Sequence, residues 1–116
     1  METLAGKALP VRERGCCAPL PDLLDPSVVA GLAGLHKALA DPARLQMLHM
    51  LKGAPEPVCV CDFTASLGLS QPTVSHHLAR LRAAGLVVSR KRGSWSYHRI
   101  APDLSPAARA AVDAIG

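Results

Sequence analysis

The residues of this chain best suited to chemistry are four cysteines, which are arranged in two close pairs. Cys16 and Cys17 are adjacent in GCCAPL, and Cys59 and Cys61 are separated by one valine in PVCVCDF. In a reducing compartment, such thiols are more often metal ligands, reactive groups or core residues than disulfides. Neighbouring or next-but-one cysteines also close a disulfide only with strain. The two pairs therefore predict thiolate chemistry and no disulfide within either pair.

Length and composition limit the kind of protein that carries these thiols. The chain has 116 residues and a formal net charge of +4, which suits one compact domain that a partner subunit could complete. The N-terminal METLAGKALPVRERG has no apolar run behind its charges, and no uncharged apolar stretch is long enough to span a bilayer. We therefore expect no signal peptide, no membrane contact and a cytoplasmic location.

The positive charge is concentrated in one part of the chain. Residues 63–102 contain no Asp or Glu, and their basic side chains are Arg80, Arg82, Arg90, Lys91, Arg92 and Arg99, with His76, His77 and His98. A segment of one charge sign in an otherwise mixed chain is typical of a surface that faces phosphates. The alternative is a solvated basic face that has no partner.

Periodicity and turn residues indicate how the chain positions these groups. Residues 1–25 contain several prolines and no sustained period, so we expect a flexible N-terminal arm that carries the first cysteine pair. Residues 26–116 are expected to form the folded domain. Asp25-Pro26 and Asp41-Pro42 both predict a helix start, and the second helix should end at Gly53. The first of these helices has an apolar stripe that consists of Val28, Leu32, Leu35 and Leu39.

The rest of the chain predicts two further helices, a hairpin and a last helix. They are a short helix over 62–67, a helix over 70–82 capped by Ser70, strands at 86–88 and 95–100 around a basic tip at 90–94, and a final helix over 104–115. This fold class is mainly α with a β-hairpin, about five helices and a two-stranded wing. Two helices around a glycine turn, followed by such a hairpin, are the layout of a winged helix-turn-helix.

In this layout the helix over 70–82 would be the recognition helix. Val74, Leu78 and Leu81 form its buried stripe, and several polar side chains lie near its N-terminal end, where they can reach base edges. The expected DNA contacts are Ser70, Gln71, Thr73, Ser75, His76, Arg80, Arg82, Arg90, Lys91 and Arg92. The alternative is that these residues only solvate a surface helix. Their coincidence with the acid-free stretch favours double-stranded DNA as the partner.

Four segments, ALADPARLQMLHML, VCVCDF, LGLSQPTVSHHLARLRAAGLV and RGSWSYHRI, carry a resemblance to a known family. In this order and spacing the chain resembles the ArsR/SmtB family of metal- and metalloid-sensing repressors, over roughly residues 28–103. The resemblance implies a homodimer, paired through its first and last helices, that binds a palindromic operator and releases it when an ion binds. The apolar stripe of the first helix and the alanine-rich last helix agree with a need for such a partner.

The resemblance also implies an ion site at the Cys-Val-Cys segment, which stands at the start of the first helix of the helix-turn-helix. Residues i and i+2 of a regular helix point about 200° apart, so both sulfurs can face one ion only if the chain is extended or the helix start deforms. The commonest arsenic pattern has a third cysteine three residues further on, and here that position is Thr64. Cys16 or Cys17 of the opposite chain is therefore the expected source of the missing sulfur. The alternative is that Cys16 and Cys17 are incidental and that Cys59 is a core residue.

Thiolates select soft ions, and the number of sulfurs separates the candidate inducers. Three sulfurs favour arsenite or antimonite, and four favour cadmium or lead. We expect arsenite, because the Cys-Cys pair resembles the arsenical branch of the family. A zinc or cobalt site of Asp and His on the last helix is not expected, since that part of the chain offers only Asp103 and Asp113.

Two other classes of protein, an enzyme and a thiol redox sensor, are alternatives for a chain with these residues. An enzyme with Cys59 or Cys61 as nucleophile would need a nearby base and a cleft. The histidines do not suggest one, because they are placed on helices that look packed or on the expected DNA face. A thiol redox sensor on the same DNA-binding frame is the stronger alternative, because low-pKa cysteines near a helix start also oxidise.

Overall fold

The computed structural model describes residues 17–116, so the predicted role of Cys16 lies outside the described part of the chain. Residues 17–25 have no helix or strand, and the division at residue 25 stays a prediction. From there the elements follow in the order α1 (Pro26–Leu39), α2 (Pro42–Gly53), β1 (Val58–Cys59), α3 (Val60–Leu67), α4 (Gln71–Ala83), β2 (Val87–Arg92), β3 (Trp95–Ile100) and α5 (Pro106–Asp113). This confirms the predicted winged helix-turn-helix, in which α3 and α4 form the helix-turn-helix and β2 and β3 the wing.

Short polar side chains begin the helices as the sequence predicts. Asp25 accepts a hydrogen bond from the Ser27 N–H at 2.8 Å, and Asp41 accepts one from the Arg44 N–H at 3.1 Å. Ser70 caps α4, and each of these helices has a proline in its first turn. Such caps satisfy backbone donors that the helix leaves unpaired. No helix within residues 17–116 combines the length and apolarity needed to cross a bilayer.

The hydrophobic core lies where α2, α3 and α4 pack together and against the sheet. Phe63, Leu78 and Leu86 have no exposed surface. Helix α1 contributes less, because Leu35 is buried whereas Val28 leaves 48% of its surface exposed. The apolar stripe of α1 is thus only partly covered within one chain.

The wing turn is shorter than predicted. Strand β2 extends through Arg92, and the turn consists of Gly93 and Ser94, with Gly93 at φ 60°. A glycine with positive φ at the first central position is typical of a two-residue hairpin turn. The predicted tip over 90–94 is therefore wrong in extent, because residues 90–92 pair with β3.

The sheet also has a third strand that the sequence analysis misses. Its order is β1-β3-β2, and β1 pairs antiparallel with β3 through Val58 opposite His98 and Cys59 opposite Tyr97. Two residues are too few to produce an alternating pattern, so periodicity gives no signal for β1. The pairing places the second cysteine pair at the edge of the wing sheet.

Candidate thiol site and DNA-binding surface

Cys59 and Cys61 lie where β1 ends and α3 begins. Cys59 is extended, with φ −89° and ψ 161°, and is the N-cap of α3. The two sulfurs form a disulfide in the structure, and the two Cα atoms are 5.4 Å apart. The prediction of no disulfide within this pair is therefore wrong. The junction between strand and helix gives a Cα separation within the usual range for disulfides, about 4.4–6.8 Å. The extended backbone at Cys59 is one of the two conformations that let residues i and i+2 face one ion, whereas a regular helix does not.

The carboxylate of Asp62 lies beside the two sulfurs. Its Oδ2 accepts a hydrogen bond from the Cys59 N–H at 3.0 Å, and the Cys61 N–H donates to Cys59 Sγ at 3.2 Å. The ligand-type atoms of these three residues all lie within 4.8 Å of one another. Sequence reasoning misses Asp62 as a candidate ligand. The available signal is its position three residues after Cys59, which is the spacing of a capping box.

A cavity of about 190 Å³ opens beside the sulfurs, and Thr64 is among its lining residues. The Thr64 hydroxyl donates a hydrogen bond to the Cys61 carbonyl oxygen at 3.0 Å. Thr64 occupies the position where a third cysteine would extend the pair. The segment therefore offers two sulfurs and a carboxylate. The sequence already indicates that it supplies no third sulfur.

Cys17 is the member of the first cysteine pair that lies within the described residues. Cys17 is exposed and precedes α1. Within residues 17–116, the cluster of ligand-type atoms at Cys59 does not include Cys17. Cys16 lies outside the described residues. The participation of Cys16 and Cys17 in an ion site stays a prediction.

Helix α4 separates its apolar and polar residues as a recognition helix requires. Val74, Leu78 and Leu81 are fully buried. The predicted DNA-contacting residues of this helix and its cap are all exposed: Ser70, Gln71, Thr73, Ser75, His76, Arg80 and Arg82. This confirms the predicted buried stripe. The contacts of these exposed side chains with bases or phosphates stay a prediction.

A hydrogen bond from Arg82 to Ser89 connects α4 to the wing beside the buried His98. The His98 side chain is 2% exposed, and its Nδ1 lies 2.5 Å from Ser89 Oγ, which also accepts a hydrogen bond from Arg82 Nη1 at 3.3 Å. Burial, and then the positive charge of Arg82, lower the pKa of His98 below its usual 6.5. Its Nε2 has no hydrogen-bond partner among residues 17–116. Arg82, expected on the DNA backbone, therefore also fixes the wing to the end of α4.

Three arginines share one face of the wing. Residues opposite each other in an antiparallel pair, and alternate residues along a strand, lie on the same face of the sheet. By this register Arg90 and Arg92 lie on the same face as Arg99, and all three line one groove. Lys91 lies on the other face. No carboxylate of residues 17–116 lies within 4.0 Å of these arginines. Arg99, which the DNA-contact prediction leaves out, therefore belongs with Arg90 and Arg92.

Known proteins of similar sequence include transcription regulators. The family described as "Bacterial regulatory protein, arsR family" matches residues 41–89. A putative arsenical resistance operon repressor from Halobacterium salinarum is 42% identical over 83 residues, which cover 72% of this chain and 69% of that protein. An arsenic resistance transcriptional regulator from Pseudomonas putida is 40% identical over 83 residues, which cover 72% of this chain and 59% of that protein.

A solved structure has the same architecture. It is the solution NMR structure of the homodimeric winged helix-turn-helix DNA-binding domain of a possible ArsR-family transcriptional regulator from Mycobacterium bovis. The similarity has a TM-score of 0.64 at 29% identity and covers 77% of this chain and 78% of that one. The chain therefore belongs to the ArsR family of bacterial regulatory proteins and is a DNA-binding transcription regulator rather than an enzyme.

Proposed function

We propose that this regulator is a cytoplasmic repressor that binds operator DNA as a homodimer and dissociates when arsenite or antimonite binds its cysteine thiolates. The observation that carries the proposal is the position of Cys59 and Cys61 at the start of α3, the helix that packs against α4. The names of the similar proteins from H. salinarum and P. putida support arsenic as the element sensed. Cadmium or lead at the same sulfurs is the alternative.

The dimer is supported by apolar surface that one chain leaves uncovered. Val28 and Val29 on α1 each leave 48% of their surface exposed, and Leu24 just before α1 leaves 62%. Burial of such surface contributes roughly 25 cal/mol per Å², so a second copy packed on α1 would be stabilised by it. The M. bovis domain is described as homodimeric. We therefore place α1 and α5 at the contact between subunits.

The third sulfur comes from the N-terminal cysteines of the partner. The segment between Cys17 and α1 can span about 30 Å when extended, which is enough to cross a subunit contact. Asp62 lies nearer, but a carboxylate oxygen is a hard ligand, and a soft trivalent ion prefers a thiolate. Cys16 or Cys17 therefore completes the site with Cys59 and Cys61.

Ion binding and DNA binding are coupled through the start of α3. Cys59 Sγ accepts the Cys61 N–H, so drawing this sulfur towards an ion shifts the first turn of α3. Helix α3 packs against α4 through Phe63, which is fully buried. By linkage, the factor that the ion removes from DNA affinity is the factor that DNA removes from ion affinity, and such couplings are typically about 1–3 kcal/mol.

The inducer is tested by releasing reduced protein from DNA. The duplex is selected by the protein itself from a random pool and labelled for fluorescence anisotropy. Arsenite and antimonite, added with reductant, should release the protein, whereas zinc should not. Release by cadmium or lead at lower concentrations than arsenite would support the alternative. If none of these ions releases the protein, the proposed class of inducer is wrong.

The shared site is tested with two inactive variants in one heterodimer. Cys16→Ser/Cys17→Ser and Cys59→Ser/Cys61→Ser are mixed, and the heterodimer is isolated through two affinity tags. A site built from both chains is restored once per heterodimer, so it should bind half the parent's arsenite while neither variant homodimer binds any. A heterodimer that binds no better than the two homodimers would place each site within one chain.

A second candidate function, thiol redox sensing, is favoured by the Cys59–Cys61 disulfide itself. Peroxide would oxidise one thiol to a sulfenic acid with release of water, and the second thiol would then displace a second water to form the disulfide. A redox sensor leaves DNA when peroxide is added in metal-free buffer. A metalloid sensor leaves DNA when arsenite is added in the presence of reductant.

A further inference from the structure

The cavity beside the cysteine pair is lined by three separate parts of the chain. They are the thiol segment with Cys59, Val60, Cys61 and Thr64, the first residue of α4, Gln71, and the wing, with Ser94 of the turn and Trp95 and Ser96 at the start of β3. Two of these three parts belong to elements expected to contact DNA. The volume of about 190 Å³ would hold a few water molecules, at about 30 Å³ each. A small ligand at the sulfurs would thus share its cavity with the wing turn.

The pairing of β1 with β3 explains why the wing turn lies here. Cys59 lies directly opposite Tyr97, so their side chains share one face of the sheet. Trp95 is two residues before Tyr97 on β3 and therefore lies on that same face. Diagonal neighbours across an antiparallel pair are about 7–8 Å apart, which is within reach of a large aromatic side chain. Trp95 lines the cavity together with the thiol segment and directly follows the turn of Gly93 and Ser94.

Trp95 is not required by the hydrophobic core. It leaves 57% of its surface exposed, and it is the only tryptophan of the chain. Its truncation should therefore leave the fold intact. The same exposure makes its fluorescence sensitive to any group that enters the cavity.

We propose that Trp95 is a positioning residue that transmits occupancy of the thiol cavity to the wing. A ligand at Cys59 and Cys61 displaces the indole and, with it, the turn at Gly93 and Ser94, so that the wing loses its place on DNA. This route runs through β3 and is separate from the route through α3 and α4. It rests on the proposed function, because it takes the thiols as the ligand site and the wing as a DNA contact.

The test uses phenylarsine oxide, which reports on the paired thiols whatever the natural inducer is. Its arsenic(III) forms two As–S bonds with two thiols, and the oxygen leaves as water, with no change of oxidation state. It is added to the reduced full-length protein, to Trp95→Ala and to Trp95→Phe. The matched control is Val88→Ala, because Val88 is also apolar and 36% exposed but lines the other groove of the wing.

Two readouts are expected to agree. Tryptophan emission should change on addition of the reagent in the parent and in Cys16→Ser/Cys17→Ser, but not in Cys59→Ser/Cys61→Ser. In Trp95→Ala, the ratio of the DNA dissociation constants measured with and without reagent should be at least about fivefold smaller than in the parent. Such couplings typically span about 5–150-fold. Trp95→Phe should retain part of this ratio and Val88→Ala all of it. Reagent binding without DNA, measured by mass spectrometry, should stay the same in all four proteins.

Two outcomes overturn the inference. One is unchanged emission while mass spectrometry places one arsenical on Cys59 and Cys61. The other is a Trp95→Ala protein that is released from DNA as the parent is. The parent protein could respond to phenylarsine oxide through Trp95 and yet not respond to arsenite, antimonite, cadmium or lead. That result would refute the proposed inducer but not this inference.

Discussion

The register of the wing predicts which basic residues carry the salt dependence of DNA binding. Arg90, Arg92 and Arg99 lie on one face and line one groove, whereas Lys91 lies on the opposite face. Each side chain that neutralises a phosphate contributes a slope of about −0.9 to log affinity against log salt. Replacing the three arginines by alanine in both subunits should therefore flatten the slope by about 5 units.

The size of this effect makes it measurable by fluorescence anisotropy at several salt concentrations. Between about 50 and 200 mM salt, a loss of 5 units of slope removes about 10³-fold of the parent's salt sensitivity. Arg99→Ala alone should flatten the slope by about 2 units per dimer, since each subunit loses one contact. The matched control is Lys91→Ala: Lys91 is also among the DNA contacts predicted from the sequence, but it lies on the opposite face of the wing, so we now expect its replacement to leave the slope close to that of the parent.

Two results would refute this reasoning. If Lys91→Ala flattens the slope and Arg99→Ala does not, DNA meets the other face of the wing. If the triple variant keeps the parent's slope at every salt concentration, the wing does not contact phosphates. Sequence preference among duplexes should survive in the triple variant, because phosphate contacts carry no base information.

Three further predictions concern α4, His98 and the core. Gln71→Ala and His76→Ala should reduce the preference for the selected duplex over random DNA by about 1–3 kcal/mol while changing the salt slope little, as competition binding would show. The pKa of His98 is lowered below 6.5 by burial, so the unfolded chain takes up the proton first, and stability should fall as pH decreases through about 6.5. His98→Gln should flatten this dependence of the urea midpoint on pH. Phe63 is fully buried, so Phe63→Ala should lower the free energy of unfolding by about 3–5 kcal/mol in urea titrations.

Much of the helical frame could be predicted because its signals are local. Asp25 and Asp41 each accept a hydrogen bond from a backbone N–H within three residues, and a proline follows each of them. Gly68 and Gly85 end helices with φ of 67° and 74°, a conformation that glycine adopts without steric cost. Such signals depend only on neighbours in the sequence.

The parts that sequence reasoning missed depend on contacts between distant residues. Strand β1 exists because Val58 and Cys59 meet His98 and Tyr97, nearly forty positions away, and two residues carry no pattern of their own. The extent of the wing likewise depends on the pairing of β2 with β3. Arg99 and Trp95 lie in the candidate sites because of that pairing. The Cys59–Cys61 disulfide was not predicted because next-but-one cysteines were expected to close one only with strain, whereas Cys59 lies at the junction of a strand and a helix.

The same junction supports the proposed coupling of a thiol site to DNA in so short a chain. Cys59 is both the last residue of β1 and the cap of α3, so in the proposed mechanism one displaced sulfur acts on the wing through β3 and on the recognition helix through α3. Asp62 still accepts the Cys59 N–H at 3.0 Å, so α3 can keep half of its capping box while the sulfur is drawn away. Helix α3 can therefore shift without unfolding. Coupling between sites needs an element with two arrangements that both sites bias, and in the proposed mechanism the segment from Cys59 to Asp62 is that element, without a long chain of intermediates.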